Sequence, residues 1–187
     1  MQNLKRIFYF WILGMIALIG LYAAFGPEGK KIKLKTVEFT TTESASIYFK
    51  NIRSYFYDQE SYKDGNYVLY RIDSRELDSS KNKLSAVIVR NRLQNQCFIR
   101  FESGLVKLDQ DLLQLEWKHA DSSGIIQLKS TDSFGHYMLA ADLFEKLDLE
   151  AEISLIVAEK QMPFKEREKK SLRKSLYDYF RLVGKLR

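Results

Sequence analysis

Residues 112–129 read LLQLEWKHADSSGIIQLK, and this stretch decides the fold class. Leu113, Leu115 and Trp117 alternate with Gln114, Glu116 and Lys118, and Ile126 and Leu128 resume the alternation after a polar cluster. A period of two places one set of side chains on one face of a pleated strand. The polar cluster Asp121-Ser122-Ser123-Gly124 supplies turn residues. The segment therefore predicts an antiparallel hairpin over 112–129.

Working upstream, Cys97, Ile99 and Phe101 alternate with Gln96, Arg100 and Glu102, and only Phe98 is off pattern. Residues 84–89 form an apolar run suited to a buried strand, and the polar residues 91–95 turn it back into 96–102. Lys63-Asp64-Gly65-Asn66 reads as a turn leading into a strand at 67–72. Residues 32–39 are less regular: Ile32 and Leu34 share one face while Val37 and Phe39 share the other, so a strand there needs a bulge or an early end. In 44–58, Tyr48, Ile52, Tyr55 and Phe56 fit helical spacing, but the aromatic density favours a strand. A strand is the expectation.

Downstream the period changes. Ser133 is placed to cap a helix over 134–147, with Phe134, Tyr137, Met138, Ala141 and Phe144 as its apolar stripe. Ile153, Leu155 and Val157 alternate as a strand. Pro163 suits the first turn of a last helix, about 164–186. Its residues Leu172, Leu176, Tyr179, Phe180 and Val183 recur on one face. Strands followed by α-β-α predict one α+β domain over 36–187, with a mainly antiparallel sheet and two C-terminal helices.

The N-terminal part has another character. Residues 7–25 read IFYFWILGMIALIGLYAAF, 19 residues without a charge. As a helix this run is roughly 28 Å long, close to a hydrocarbon core of about 30 Å. Tyr9, Trp11 and Tyr22 lie toward its ends, where amphipathic rings favour the headgroup zone, and Gly26-Pro27 stops the helix. The run exceeds a usual signal-peptide core and no small-x-small cleavage site follows. The expectation is a short tail (1–6), an uncleaved transmembrane signal-anchor (7–26) and a basic tether (27–35). Gly14, Ala17, Gly20 and Ala24 form a small-residue strip through which two such helices could pack. The Lys/Arg count on the two sides favours a cytoplasmic domain, but the short tail with Lys5-Arg6 resembles the start of a secretory anchor. The expected location is a single-pass plasma or bacterial inner membrane protein, with export of the domain favoured over the cytoplasmic side.

Charge is segregated. The chain of 187 residues carries +6, yet residues 165–187 alone carry +6, residues 1–35 carry +5, and residues 36–164 carry −5. Lys170, Arg173, Lys174, Arg181 and Lys185 lie opposite the apolar stripe of the last helix. They are candidate contacts for anionic headgroups or an acidic partner. Tyr48, Tyr55, Tyr57, Tyr62, Tyr67 and Tyr70 form a second candidate surface, because Tyr joins a large apolar face to a polar tip. Ordinary packing is the simpler reading of both sets. The sequence argues against a nucleic-acid partner, because the body is acidic and no groove-reading motif is present.

Motifs of catalysis are sparse. A single Cys excludes an internal disulfide, and Cys97 sits on the apolar face of its strand. His119 and His136 belong to no metal-ligand spacing, although His136 could contact Asp132 locally. Ser171 with Lys174, and Ser80 with Lys83, match S-x-x-K without its companion motifs. Asp109 and Asp111, with Asp73, Glu76 and Asp78, lack the spacing of a calcium loop. No catalytic residue, cofactor or metal is indicated. The sequence points to a non-catalytic, single-pass membrane-anchored binding or assembly module of an envelope or membrane complex, with a protein partner. A membrane-anchored hydrolase or lipid-modifying enzyme without a recognisable motif is the alternative.

Overall fold

A π-turn wedged between two short helical pieces opens the domain where the aromatic content predicts a strand. The computed structural model describes residues 34–62, 66–78, 80–108 and 112–186, which belong to one compact unit, Lys33–Arg187. The apolar run 7–25, its strip Gly14, Ala17, Gly20 and Ala24, the turn residues 63–65, and Asp109 and Asp111 lie outside the described residues. Among the described residues no helix is long and apolar enough to cross a membrane.

Among the described residues, eight strands form two antiparallel sheets. β1 (Tyr57–Ser61), β2 (Tyr67–Ile72), β3 (Ser85–Asn91) and β4 (Gln96–Glu102) form a meander in that order. β5 (Gln114–His119), β6 (Ser122–Gln127), β7 (Glu152–Val157) and β8 (Lys160–Pro163) form the second sheet, in the order β6-β5-β7-β8. The α-helices among the described residues are α1 (Glu43–Tyr48), α2 (Ser133–Asp148) and α3 (Glu166–Leu182). α2 touches β4, β6 and α3, and α3 touches β3, β4 and α1. The protein is thus an α+β domain, with two sheets where one was expected.

The alternation in β4 is realised in full, with Cys97, Ile99 and Phe101 buried against the helices. β3 is apolar on both faces, because Ala86 and Ile88 join the main core while Val87 and Val89 form a smaller cluster with Leu69 on the other side. The free edge of β4 is closed by neighbours. The Cys97 N–H donates to the Phe39 carbonyl at 2.8 Å, and the Phe101 N–H donates to His136 Nδ1 at 3.3 Å. Covering an edge in this way blocks strand addition there. Residues 34–41 make only a single bridge, Thr40 to Gln96, so the irregular 32–39 pattern marks no strand among its described residues. Leu34 is buried, and Lys35 pairs with Asp142 of α2 at 2.8 Å.

Five sequence expectations are corrected. The 44–58 segment is helical: Thr42 caps α1 by accepting from the Ala45 N–H, a π-turn follows at Phe49–Arg53, and a 3₁₀ turn at Ser54–Phe56 leads into β1. Tertiary contacts override the β-propensity, because Phe49 must reach Tyr57 and Tyr70 (ring centroids 5.6 and 5.1 Å). The β5–β6 turn lies at Ala120-Asp121, so only the first residue of the polar cluster turns and the other three belong to β6. Gly124 serves close approach instead, since a Cβ there would lie 2.9 Å from Trp117 Nε1. Asp132, not Ser133, caps α2 by accepting from the Gly135 N–H at 2.7 Å. In α2 the buried face is wider than the predicted stripe, and Phe134 points outward. Pro163 ends the edge strand β8, opposite Ser154, instead of opening α3. A proline is tolerated there because an edge strand leaves one side of its backbone unpaired.

α3 presents Lys174, Asp178 and Arg181, at i, i+4 and i+7, to the segment 48–57. Asp178 is 2% exposed. Arg53 Nε donates to Asp178 Oδ1 at 2.8 Å, Arg53 Nη2 donates to Oδ2 at 2.9 Å, and the Tyr57 hydroxyl donates to Oδ2 at 2.7 Å. Burial, followed by the Asp178 charge, holds the Tyr57 hydroxyl well above its ordinary pKa. α2 and α3 both end in Schellman turns. Gly184 (φ 71°) takes the left-handed position after α3, whereas Glu150 (φ 57°) takes it after α2.

Asp178→Ala leaves Arg53 and Tyr57 without their acceptor and is expected to cost about 3–5 kcal/mol in urea unfolding. The triple variant Asp178→Leu, Arg53→Met and Tyr57→Phe removes every polar partner together and should recover most of that loss. Glu150→Gly relieves a left-handed side chain and should add about 1 kcal/mol, read as a rise of about 2–4 °C in Tm.

Candidate binding cleft

The residue that breaks the alternation of β4 begins the site. Phe98 lies on the face of the first sheet opposite the main core, paired in register with Val89 of β3. Tyr67 of β2 packs on the same cluster. At the other end of this face, Arg71 reaches from β2 across β3 to Glu102 of β4 (Nη2 to Oε1, 2.7 Å) and also holds Glu60 of β1 (Nη1 to Oε2, 2.6 Å). This bridge spans Val87, which is fully buried. Among the described residues no such ion pair covers Val89 and Phe98, which floor a cleft of about 500 Å³, with the Phe39 ring packed on Phe98 (centroids 5.0 Å).

The cleft walls come from Tyr62 and Tyr67 on one side and from Thr131, Asp132, Ser133 and His136 at the start of α2 on the other, with Arg100 of β4 beside the floor. Arg100 is exposed and forms no ion pair among the described residues. The His136 ring is buried, lies near parallel to Phe101 (26°, centroids 6.0 Å), and uses Nδ1 to accept from the Phe101 N–H. The neutral ring therefore carries its proton on Nε2. Burial, with the Arg100 charge adding, pushes its pKa down to about 4, against an opposing pull from Asp132. The expected local contact with Asp132 is electrostatic, while the ring's hydrogen bond goes to the sheet. Such a cleft can receive an apolar or aromatic group on its floor and an anionic group at Arg100.

The tyrosine set divides three ways. Tyr57 and Tyr70 are core residues around Phe49. Tyr62 and Tyr67 line the cleft. Tyr48 stands beside α3 under Arg181, and Tyr55 is largely exposed. The basic set also divides. Arg173 pairs with Asp148 at 2.6 Å, Lys174 Nζ lies 4.5 Å from the Phe56 ring centroid, and Arg181 Cζ lies 3.7 Å from that of Tyr48. Lys170 is exposed and Lys185 is half-buried beyond the helix end. Arg100 and His136 were not singled out from sequence as a pair. The off-pattern Phe98, with Arg100 two residues later on the same face, was the available signal.

Other candidate groups are engaged elsewhere. Cys97 is fully buried, and burial raises its thiol to about 12. His119 is exposed in its hairpin. The Ser171 hydroxyl donates to the Ser74 carbonyl, and Lys83 pairs with Glu168 at 2.9 Å, so neither S-x-x-K match forms an isolated Ser-Lys pair. A second hollow of about 430 Å³, between Ser74–Lys83 and the start of α3, contains that same Lys83–Glu168 pair. Among the described residues no group of three or more His, Cys, Asp or Glu could hold a metal ion. No protein family, curated protein or solved structure matches the chain.

The folded His136 takes up its proton near pH 4, whereas the unfolded residue does so near 6.5. Between these values the unfolded chain binds the extra proton, so this residue's effect on stability turns unfavourable as pH falls from about 6.5 toward 4. Urea unfolding at pH 7 and pH 5 should show a loss about 1–2 kcal/mol larger for the wild type than for His136→Gln. Equal losses would remove His136 as the titrating group.

Proposed function

We propose that the protein is a single-pass membrane-anchored binding module, with its domain on the exported side, that holds a segment of a membrane-complex partner. The cleft beside Arg100 is the observation that carries this reading. Its floor of Val89 and Phe98 is apolar, and among the described residues its nearest cation pairs with no internal carboxylate. An aromatic floor with one charged anchor is the composition of an interface centre, where a few buried contacts supply most of the affinity. The favoured occupant is an extended segment carrying an apolar side chain beside a carboxylate. The uncharged run 7–25 supports the anchor, which raises the local concentration of the cleft at the membrane.

Two measurements on the full-length chain in native membranes test the reading. Alkaline carbonate should leave the protein in the membrane pellet. A benzophenone amino acid in place of Tyr62 should give one discrete protein adduct on irradiation. Arg100→Glu should weaken that adduct at least tenfold, since a charge-assisted hydrogen bond contributes about 1.5–3 kcal/mol. Release by carbonate defeats the anchor, and an adduct insensitive to Arg100→Glu defeats the cleft.

A further inference from the structure

Exposed large apolar side chains are concentrated in one short piece of chain. Ile47 (53%), Ile52 (51%), Tyr55 (78%) and Phe56 (40%) all lie on α1 and the two turns that follow it. Four such residues within ten positions form a patch that isolated surface hydrophobics do not. The tertiary structure sets cations against it. Lys174 lies over Phe56 and Arg181 over Tyr48, one on each side of Asp178 along α3. The Asp178 carboxylate is buried and already paired with Arg53, so it offers no negative charge to the surface. Lys50 is exposed within the same segment.

We propose that this ridge docks on the anionic surface of a lipid bilayer. Apolar and aromatic tips enter the headgroup boundary while Lys50, Lys174 and Arg181 meet lipid phosphates, the division of labour of an interfacial helix. The rings hold the two α3 cations by cation–π contact, which keeps them at the level of the apolar tips. Chain length selects a bilayer over other occupants. Eight residues lie between Phe25, the end of the uncharged run, and Leu34, the first described residue. Fully extended, that tether spans at most about 30 Å. The ridge begins on the first helix after it, and the tether itself carries Lys30, Lys31 and Lys33. This inference rests on the membrane-anchored reading above and adds the face that meets the lipid.

The test uses the full-length chain reconstituted in vesicles of phosphatidylcholine alone, or with about one third phosphatidylglycerol. A fluorophore on Ile52→Cys reports the ridge, and one on Leu93→Cys, exposed in the β3–β4 turn, is the control. Cys97 is buried and remains unlabelled under native conditions. Doxyl-labelled lipid should quench the Ile52 probe in anionic vesicles and leave the Leu93 probe unchanged. The triple variant Lys50→Gln, Lys174→Gln, Arg181→Gln should reduce the quenched population at least tenfold, as expected from the attraction of three surface cations. Lys174→Arg and Arg181→Lys keep the charge and should retain quenching, which separates electrostatics from loss of fold. Equal quenching at both sites, or none at Ile52, overturns the docking. Shielding of Ile52 in native membranes but not in lipid vesicles also overturns it, in favour of a protein partner. Carbonate extraction of the same samples reads the anchor separately: protein that pellets without quenching fails the docking alone, and protein that is stripped fails the anchor.

Discussion

A carboxylate with almost no exposed surface must be matched charge for charge and bond for bond, and Asp178 is matched by Arg53 and Tyr57. The requirement reaches far along the chain, since these partners lie more than 120 residues before it. Arg53 ends the π-turn, and Tyr57 opens β1. One buried ion pair therefore fixes where the opening segment meets α3 and where the first sheet begins. The extra residue of a π-turn brings the Arg53 side chain toward α3 while leaving Phe49 directed into the core. Hydrophobic burial supplies most of the driving force, but it is non-directional. The Asp178 cluster supplies the direction.

The same cluster organises the surface. By consuming the carboxylate between Lys174 and Arg181, it leaves these two cations without a carboxylate partner among the described residues and gives the rings of Phe56 and Tyr48 something to hold. The cleft on the far side of the first sheet arises from a different asymmetry. The Arg71 bridge roofs one half of that face and does not reach the half around Val89 and Phe98. A face that alternates perfectly between apolar and polar residues would have presented no such floor. Exposed apolar area on both surfaces is held in place by a core that does not depend on it.

Much of the architecture was legible in the residues. The period-two runs of 96–102 and 113–118 form strands, and the stripe Leu172, Leu176, Tyr179, Phe180 and Val183 is buried as the helical spacing requires. These readings succeed because one-sided burial imposes a period on the sequence. The segment 44–58 misled because aromatic residues fit either a strand or a helix packed on one, and only the partner decides. Pro163 misled for a related reason: a restricted φ suits both a first helical turn and an edge strand. The site was partly legible. The two weighed sets, basic and aromatic, each split between core, cleft and ridge, because one dimension cannot distinguish residues that share a segment from residues that share a surface.

By itself the sequence determined the uncharged run at 7–25, the segregation of positive charge to both ends, the β-rich middle and the amphipathic last helix. Each is a property of composition or local period. Tertiary structure alone decided that the strands divide into two sheets, that Asp178 is buried and paired, that Arg100 stands beside Phe98 and His136, and that Lys174 and Arg181 cover aromatic rings from a distant segment. Those outcomes depend on which long-range contacts satisfy buried polar groups together, and no local pattern encodes that choice.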